Sequence, residues 1–585
     1  MDFFSILTLF GGLAMFLYGM DIMGEGLKKL SGSKLETILE KLTSNKIKGF
    51  LLGAGVTAMI QSSGATTVML VGFVNSGIMK LSKTISIIMG ANVGTTVTAW
   101  ILSLSGINGE SFIIKMLKPS SFTPVLAMVG IILSFMAKND RQKDIGSILL
   151  GFSVLMFGME TMSQSMSGLK DSSVFAKLLV MFSNPIMGIL AGFILTAIIQ
   201  SSSAAVGVLQ ALSITGAINF STALPIVLGA NIGAAVTPMI SAINGNTNAK
   251  RVAAACLYIK IISVAVIAGL FYLLNAFLDF SFMTHTVGAV YIALIHTVFN
   301  ALATLLLMPF EKSIVKLAEI TVKDESDKKT ANVFDTLDER FLLTPGYAVE
   351  KCRELVCQMA EISENSLIKS LEILKKYDKK VAADIEESEN DVDMYEDKIS
   401  TYLVHLASGN LSEKDSKMVT HLLHVIGDME RISDHAVNLV SVSKEISDKE
   451  IDFSEEADKE MNIMTSAVTE ILDIAVKAFV EGDRELAKRV EPLEQTIDDL
   501  KRMIKDNHIE RLRNRVCTVE FGFILSDFIT NCERVADHCS NIAVSILELK
   551  HNAFDTHEYL SQVKEGGRND FFRLYEEYGK KYSLE

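Results

Sequence analysis

The first 310 residues consist largely of long apolar stretches, and this feature limits the fold more than any other in the sequence. A helix needs about 20 predominantly apolar residues to cross the hydrocarbon core of a bilayer, and most of the stretches have this length. The sequence therefore predicts an all-α, polytopic membrane protein in this half. The stretches run approximately over residues 3–20, 49–75, 79–104, 121–137, 145–162, 186–214, 219–244, 252–278 and 284–310.

The charged residues are concentrated in the other half of the chain, from residue 311 onward. The net charge of −14 argues against a general nucleic-acid binder. A mean hydropathy of +0.33 excludes a disordered chain, and six Cys in 585 residues are too few for a disulfide scaffold. We therefore expect a membrane half joined to a soluble, acidic half.

Two of the apolar stretches are interrupted midway by polar clusters. Gln-Ser-Ser-Gly occupies 61–64 within the stretch 49–75, and Gln-Ser-Ser-Ser occupies 200–203 within 186–214. A polar break at membrane depth is tolerated only where it is buried in protein or lines a cavity. We predict that both stretches form helical hairpins or broken helices rather than simple spans.

An internal repeat relates the two clusters. Gln-Ser-Ser at 61–63 recurs at 200–202, and Gly-Ala-Asn-Val-Gly at 90–94 recurs as Gly-Ala-Asn-Ile-Gly at 229–233, both at an offset of 139 residues without gaps. Several single glycines follow the same offset, and these pairs are Gly12 and Gly151, Gly19 and Gly158, Gly53 and Gly192, and Gly77 and Gly216. We assign residues 1–139 to the first repeat and 140–310 to the second repeat with a final span.

The positions of basic residues predict that the two repeats are inverted. If basic loops are cytoplasmic, seven crossings and two re-entrant hairpins place all of them on one side, with the N-terminus outside. The stretches 3–20 and 145–162 then run in opposite directions. Inverted repeats with paired broken helices are typical of secondary transporters, whose site lies where the broken elements meet near the midplane. The basic residues are Lys28, Lys29, Lys34, Lys41, Lys46, Lys48, Lys80, Lys83, Lys138, Arg141, Lys143, Lys250, Arg251, Lys312 and Lys316.

The polar clusters contain the groups that bind a small oxyanion. Hydroxyls, amides and N–H groups at half-helix N-termini cradle oxyanions, while freed carbonyl and hydroxyl oxygens coordinate Na⁺. The clusters contain no Arg or Lys, so a multiply charged anion would need co-bound cations to compensate its charge. The alternative is that these small residues only permit close helix packing.

The paired Gln-Ser-Ser clusters, each followed by Gly-Ala-Asn-(Val/Ile)-Gly, resemble the type II sodium–phosphate cotransporter family in its bacterial form, over about residues 8–310. The resemblance implies that inorganic phosphate is transported with Na⁺ and lies between the two hairpins. It also covers an Ala-x-x-His-x-x-Phe-Asn pattern at 293–300. The binding residues that the resemblance implies are Gln61, Ser62, Ser63, Thr66, Thr67, Asn92, Thr95, Thr96, Gln200, Ser201, Ser202, Ser203 and Asn231.

The sequence departs from the family pattern at three positions. Gly64 replaces the third Ser of the first cluster, and Cys256 and Lys260 occupy positions where the family usually has His and Asn. Lys260 could stand in for a cation or pair with the substrate. We favour a third interpretation, because Lys260 lies nine residues beyond Arg251, about 13 Å of helix rise. At that depth its ammonium can snorkel to the cytoplasmic surface.

Residues 346–585 are predicted to form a cytoplasmic bundle of long amphipathic helices, after a polar linker over 311–345. Apolar residues recur at spacings of three and four among charged residues, which is the pattern of such helices. Glu-Arg-Ile-Ser-Asp-His at 430–435 recurs as Glu-Arg-Val-Ala-Asp-His at 533–538. The recurrence indicates two three-helix repeats.

The repeated hexapeptide predicts a metal site in the bundle. Carboxylates at i and i+4 share one helix face, and two such helices side by side would place four of them around a metal. The pattern resembles the PhoU family of phosphate-uptake regulators over about 345–550. The resemblance implies a divalent or ferric ion at Glu430, Asp434, Glu533 and Asp537, with Asp393 and Asp498 as further candidates. The alternative is a solvated, salt-bridged face. His421, His424 and Asp428 also have a metal-like spacing, for which we favour a structural role.

The sequence therefore predicts a Na⁺-driven importer of inorganic phosphate in the plasma membrane, working by alternating access and carrying a cytoplasmic PhoU-like regulatory domain. Sodium and phosphate enter only through the resemblance. Phosphate export, and a receptor that passes a phosphate signal to a partner, stay open as alternatives. We expect no enzyme, since no catalytic constellation appears. The expected partners are phosphate, Na⁺, membrane lipid, and a second copy of the chain or a cytoplasmic regulator, but not nucleic acid.

Overall fold

The computed structural model describes residues 3–31, 45–106, 118–137, 139–166, 173–323, 333–409, 411–549 and 568–584. The described residues are helical almost throughout, and the predicted all-α fold is confirmed. The chain divides into two compact units, Met1–Tyr347 and Ala348–Glu585. Lys34, Lys41 and Lys138, which contributed to the predicted membrane orientation, lie outside the described residues.

The helices of the first unit follow the order expected of two repeats. Repeat 1 contains α1 (Phe3–Ser31), α2 (Lys46–Ile60), α3 (Ser63–Asn75), α4 (Leu81–Gly94), α5 (Thr96–Ser103) and α6 (Pro119–Met136). Repeat 2 contains α7 (Asp140–Met166), α8 (Ser173–Phe182), α9 (Pro185–Ile199), α10 (Ser202–Ser213), α11 (Phe220–Gly233), α12 (Val236–Ala242) and α13 (Thr247–Leu278). The helices α14 (Ala289–Leu307) and α15 (Glu311–Thr321) follow.

Six apolar segments among the described residues are long enough to cross a membrane, one fewer than the seven expected. They are Phe4–Leu30, Leu81–Gly106, Arg141–Met166, Phe220–Ala242, Thr247–Leu278 and Ala289–Thr321. The seventh expected span is the apolar helix Ser121–Met136. The helix that contains it, α6, has 18 residues, at the lower end of the length that crosses a membrane.

The first helices of the two repeats, α1 and α7, run antiparallel. A Cβ added to Gly19 would lie 2.2 Å from the backbone of Leu155, and one added to Gly12 would lie 2.8 Å from the backbone of Met162. Higher residue numbers on α1 therefore face lower numbers on α7, so the repeats are inverted. Gly151 and Gly158 make the same close approaches from the other side, which explains why the glycines recur at the repeat offset.

The two interrupted stretches form short helix pairs, as predicted. Each pair is broken at a Gln–Ser step, between α2 and α3 and between α9 and α10. The longest arms, α2 and α9, contain 15 residues each, or about 22 Å, and cannot cross the ~30 Å hydrocarbon core alone. Each pair packs against the helix that follows it, because Gly53 lies on the backbone of Ile87 and Gly192 lies on that of Ile226.

The described part of the predicted polar linker is packed against both repeats. Phe341 is fully buried, and its ring centroid lies 5.4 Å from that of Phe73 in α3. The Asn75 side-chain amide donates to Asp338 at 2.7 Å, and Arg340 Nε donates to the carbonyl of Ser241 in repeat 2 at 3.0 Å. The segment just before the second unit therefore fixes the far end of the first hairpin.

The second unit is a bundle of long amphipathic helices. Three of them, α16 (Pro345–Glu372), α17 (Lys379–Ala407) and α18 (Glu413–Asp448), form the first repeat. The second repeat consists of α19 (Glu455–Glu481), the short α20 (Arg484–Ala487), α21 (Val490–Arg513) and α22 (Val519–Glu548). A last helix, α23 (Arg568–Lys581), packs on α21, where Arg489 donates to the Tyr578 hydroxyl at 3.1 Å.

Candidate functional site

The two Gln-Ser-Ser turns have the same backbone conformation. Gln61 and Gln200 adopt left-handed φ angles of 60° and 59°, and each closes the preceding helix by donating its N–H to a threonine carbonyl, of Thr57 and Thr196 respectively. Residues other than glycine rarely adopt this conformation. A polar side chain is thus held in a strained turn twice, which is typical of a functional site.

The serine after each glutamine starts a new half-helix. Ser62 Oγ accepts from the Ala65 N–H at 3.1 Å, and Ser201 Oγ accepts from the Ala204 N–H at 3.2 Å. Each serine is an N-cap in extended conformation. The first N–H groups of α3 and α10 therefore point out of the helix ends with the positive end of the helix dipole behind them, the arrangement that favours an anion.

Each turn accepts a hydrogen bond from a threonine, and the two threonines are themselves repeat mates. Thr98 donates to the side-chain oxygen of Gln61 at 2.7 Å, and Thr237 donates to the backbone carbonyl of Gln200 at 3.4 Å. Thr237 also lies beside the first turn, since a Cβ on Gly64 would be 3.5 Å from its methyl group. The structure therefore brings the turns of the two repeats together.

Four threonine hydroxyls lie just after the first turn and at the break between α4 and α5. The hydroxyl of Thr66 donates to the Ser62 carbonyl at 3.0 Å, that of Thr67 to the Ser63 carbonyl at 2.8 Å, and that of Thr95 to the Ala91 carbonyl at 2.9 Å. Thr96 makes the same kind of bond to Val93 at 2.7 Å. Because their protons are engaged in these bonds, the oxygens can only accept, and acceptor oxygens are what a hard cation such as Na⁺ binds.

Lys260 is buried inside the membrane unit, so the snorkelling interpretation is wrong for this structure. Its side chain is 6% exposed, and its ammonium donates to Asn92 Oδ1 at 3.0 Å. The reason is that α13 packs against α4 and directs Lys260 at the Gly-Ala-Asn segment. The repeat mate Asn231 instead donates to the carbonyl of Val227 in its own helix at 3.0 Å.

Helix α14 adds a buried histidine next to this pair. His296 is 1% exposed and lies within the electrostatic reach of Lys260. The Asn300 amide donates to its backbone carbonyl at 2.8 Å. His296 and Asn300 of the pattern at 293–300 are therefore both buried in the membrane unit.

In the bundle, the structure gathers three carboxylates of the second repeat. Oxygens of Glu494, Asp498 and Asp537 lie within 4.8 Å of one another. Burial, with the nearby charge of Glu533 adding to it, raises the pKa of both Asp498 and Asp537. A bound cation would offset both the burial of these carboxylates and the repulsion between them. This donor set therefore fits a divalent or ferric ion held by oxygen ligands.

The predicted metal ligands are only partly brought together. Asp537 is in the cluster, whereas Glu533 forms an ion pair with Lys501 at 3.0 Å. Glu430 and Asp434 lie on α18 and are not among the gathered carboxylates. Glu494 was not predicted as a ligand. The signal that could have found it is its i, i+4 spacing to Asp498, on one face of α21.

Two histidines link the repeats of the bundle without forming the His421–His424–Asp428 cluster. Asp428 accepts from His538 at 2.9 Å, and His435 Nδ1 lies 2.8 Å from the Asn531 side chain. Burial lowers the pKa of His435 and lowers that of His421 to about 4. His435 and His538 therefore join α18 to α22, and a structural role stays our prediction for His421, His424 and Asp428.

Comparison with known proteins agrees with this arrangement. The model of the Na⁺/Pi-cotransporter family matches residues 15–164 and again 154–295, and the PhoU domain model matches 356–442 and 461–546. In both cases the tandem matches follow the internal repeats.

Individual relatives align with different lengths of the chain. YjbB of Salmonella typhimurium, whose name refers to inorganic phosphate export, is 25% identical over 561 residues, 95% of this chain and 100% of that protein. The uncharacterized protein YqeW of Bacillus subtilis is 30% identical over 320 residues, 54% of this chain and 97% of that one. Rat sodium-dependent phosphate transport protein 2A is 36% identical over 97 residues, 16% of this chain and 15% of that one.

The inverted repeats and the paired broken helices that meet at polar turns define a polytopic membrane transporter. Within that class, the chain belongs to the Na⁺/Pi-cotransporter family and also contains a PhoU domain. The two resemblances noted in the sequence are confirmed.

Proposed function

We propose that this protein carries inorganic phosphate across the plasma membrane together with Na⁺. The observation that carries the proposal is that Thr237 lies beside both serine-capped half-helix N-termini, in a chain that matches the Na⁺/Pi-cotransporter family. Phosphate binds between the turns and accepts from the first N–H groups of α3 and α10 and from the hydroxyls of Ser63 and Ser202. Na⁺ binds the acceptor oxygens around the first turn and offsets the phosphate charge.

Transport proceeds by alternating access around this site. The hairpins belong to inverted repeats, so each is reached from an opposite face of the membrane. A loaded site with little net charge crosses the low-dielectric interior at a lower cost than phosphate alone. The required neutrality couples the movement of phosphate to that of Na⁺.

The PhoU domain is proposed to lie in the cytoplasm and to regulate the transporter. The connector at 333–347 is attached to the far end of the first hairpin through Asn75 and Phe73. A domain that displaced this segment would change the packing of α3, whose other end forms half of the phosphate site. The metal held by Glu494, Asp498 and Asp537 would stabilise the second repeat of the domain.

Export is a second candidate for the direction of transport in the cell. It is favoured by the relative YjbB, which aligns with 95% of this chain and is named for phosphate export. A cotransporter runs in either direction according to the Na⁺ and phosphate gradients, so the same site supports both.

The test is labelled-phosphate flux in proteoliposomes containing the full-length protein. We expect uptake under an inward Na⁺ gradient, release of preloaded phosphate under an outward one, and neither when K⁺ replaces Na⁺. Flux that is equal in Na⁺ and K⁺ would refute Na⁺ coupling. Phosphate binding without any flux would favour the receptor alternative.

A further inference from the structure

Lys260 is a buried cation with no counter-charge in the described part of the membrane unit. Its side chain is 6% exposed, and its one hydrogen bond there is to the neutral amide of Asn92, at 3.0 Å. No carboxylate of the described residues pairs with it. An uncompensated ammonium inside a membrane protein is costly and is kept only where it has a function.

Lys260 and Gln61 of the first turn both form hydrogen bonds to the interrupted helix made of α4 and α5. Lys260 binds Asn92 near the end of α4, and Gln61 accepts from Thr98 on α5, which continues α4 after the break at Thr95. Six residues separate Asn92 from Thr98, about 9 Å of helix rise. Between them Gly94 packs on Thr57, whose hydroxyl donates to Thr66 at 3.0 Å behind the serine cap.

We propose that the ammonium of Lys260 is a fixed cation of the transport site that takes the place of one co-transported Na⁺. An ammonium has three donors; Asn92 accepts from one of them, which leaves two for an anion. The polar turns themselves contain no cationic side chain, so Lys260 is the cation that would pair with a dianionic phosphate. The phosphate in turn supplies the negative charge that Lys260 lacks. This inference rests on the proposed function, because it assigns a role within the same site.

A fixed cation has a consequence for coupling. If one of the compensating charges belongs to the protein, fewer Na⁺ ions move with each phosphate. The Na⁺ gradient then supports a smaller phosphate gradient, and the carrier reverses at a lower cytoplasmic phosphate concentration. The lysine thereby favours a carrier that works in both directions.

The test measures binding of labelled phosphate to the full-length protein over a range of Na⁺ concentrations, for Lys260→Met and Lys260→Ala. We expect Lys260→Met, which fills the space without charge, to bind phosphate at least about 10-fold more weakly at all Na⁺ concentrations, as loss of a hydrogen bond to a charged group does. Lys260→Ala leaves room for an ion. Phosphate binding by Lys260→Ala should recover at high Na⁺, with a Hill coefficient for Na⁺ that is about one higher than that of the wild type.

Two control variants separate this effect from packing. Ser263→Ala removes a buried hydroxyl one turn further along α13 that bonds only to its own helix, and Lys312→Met removes an exposed lysine. Both should bind phosphate as the wild type does. Wild-type binding by Lys260→Met, or an unchanged Na⁺ dependence of Lys260→Ala, would overturn the inference.

A further variant, Asn92→Asp, decides the matter even if the lysine variants fail to fold. The new carboxylate would pair with Lys260, so the melting temperature should rise while phosphate binding weakens. Unchanged phosphate binding with a raised melting temperature would overturn the inference. If the wild type binds phosphate but shows no Na⁺-driven flux, the proposed function fails, and these binding measurements still decide the role of the lysine.

Discussion

The two repeats of the membrane unit share one backbone and differ in the chemistry they place on it. Their turns agree within a few degrees, with φ, ψ of 60°, 18° at Gln61 and 59°, 18° at Gln200. Their helix contacts agree equally well, since a Cβ on Gly53 or on Gly192 would lie 2.1 or 2.0 Å from the carbonyl oxygen of the facing helix. The backbone of the site is therefore nearly twofold symmetric.

The side chains around the turns are not symmetric. Four threonines of repeat 1 correspond, at the repeat offset, to residues of repeat 2 that lack a hydroxyl: Thr66 to Ala205, Thr67 to Val206, Thr95 to Ala234 and Thr96 to Ala235. Asn92 accepts from Lys260, whereas Asn231 bonds to its own helix. The shared backbone thus presents a half-helix N-terminus in each repeat, whereas these four threonine hydroxyls and the partner of Lys260 belong to repeat 1.

The largest effect is expected from breaking the shared backbone. Gly53→Val and Gly192→Val each drive a side chain into the backbone of the facing helix. Overpacking of this kind lowers the free energy of unfolding by about 3 kcal/mol. We expect both variants to lose the monodisperse folded peak in detergent, as seen by fluorescence-detected size exclusion. Gly55→Val on the same helix is the control, because nothing lies within 4 Å of its Cβ. If only one of Gly53→Val and Gly192→Val folded normally, the two repeats would not depend equally on this close helix contact.

The next effect concerns the anion site, which both repeats should form. Ser63→Ala and Ser202→Ala each remove a buried hydroxyl at the start of a half-helix. Loss of one hydrogen bond to a charged ligand corresponds to a factor of about 10 to 100 in affinity. We expect each variant to abolish measurable phosphate uptake in proteoliposomes. Ser213→Ala, whose hydroxyl bonds only to Gln210 in its own helix, should transport normally. Retained uptake in both site variants would contradict the assignment.

Much of this arrangement could be predicted from the sequence, because residues that recur at a fixed offset indicate the same backbone conformation in both repeats. The paired Gln-Ser-Ser clusters predicted the broken helices, and the paired glycines mark the close approach of α1 to α7. What the sequence could not predict was which partner a long side chain selects. Lys260 was expected to reach the surface, since its nine-residue distance from Arg251 permits snorkelling, and only the packing of α13 on α4 shows that it points inward. The docking of Phe341 likewise depends on tertiary contacts.

A smaller effect should separate the cation side from the anion side. Thr95→Ala with Thr96→Ala makes repeat 1 match repeat 2 and removes two acceptor oxygens. We expect the Na⁺ concentration for half-maximal uptake to rise about 30-fold, since each of the two neutral hydrogen-bonding groups contributes roughly 1 kcal/mol. Phosphate affinity at saturating Na⁺ should change little. The reverse exchange, Ala234→Thr with Ala235→Thr, should leave Na⁺ dependence unchanged. A loss of phosphate affinity at saturating Na⁺ would place these hydroxyls in the anion site instead.

The smallest effect on transport is expected in the bundle, where only the second repeat brings three carboxylates within 4.8 Å of one another. The carboxylates of the first repeat interact electrostatically without meeting that distance. Glu494, Asp498 and Asp537 converge in the second repeat, whereas the equivalent Glu389 and Asp393 do not appear among the gathered carboxylates of the described residues. Asp498→Asn should therefore weaken binding of Mn²⁺ or Fe³⁺ to the full-length protein at least about 10-fold, because one charged ligand is lost.

The matched variant Asp393→Asn should bind metal nearly as well as the wild type. The pKa of Asp498 is raised by burial and by Glu533, so protons compete with the metal at a higher pH than for a free Asp. Metal affinity should accordingly fall as the pH is lowered, and it should fall less steeply in Asp498→Asn. Equal losses in the two variants, measured by titration calorimetry, would mean that both repeats of the bundle contribute ligands. The asymmetry between repeats would then be confined to the membrane unit.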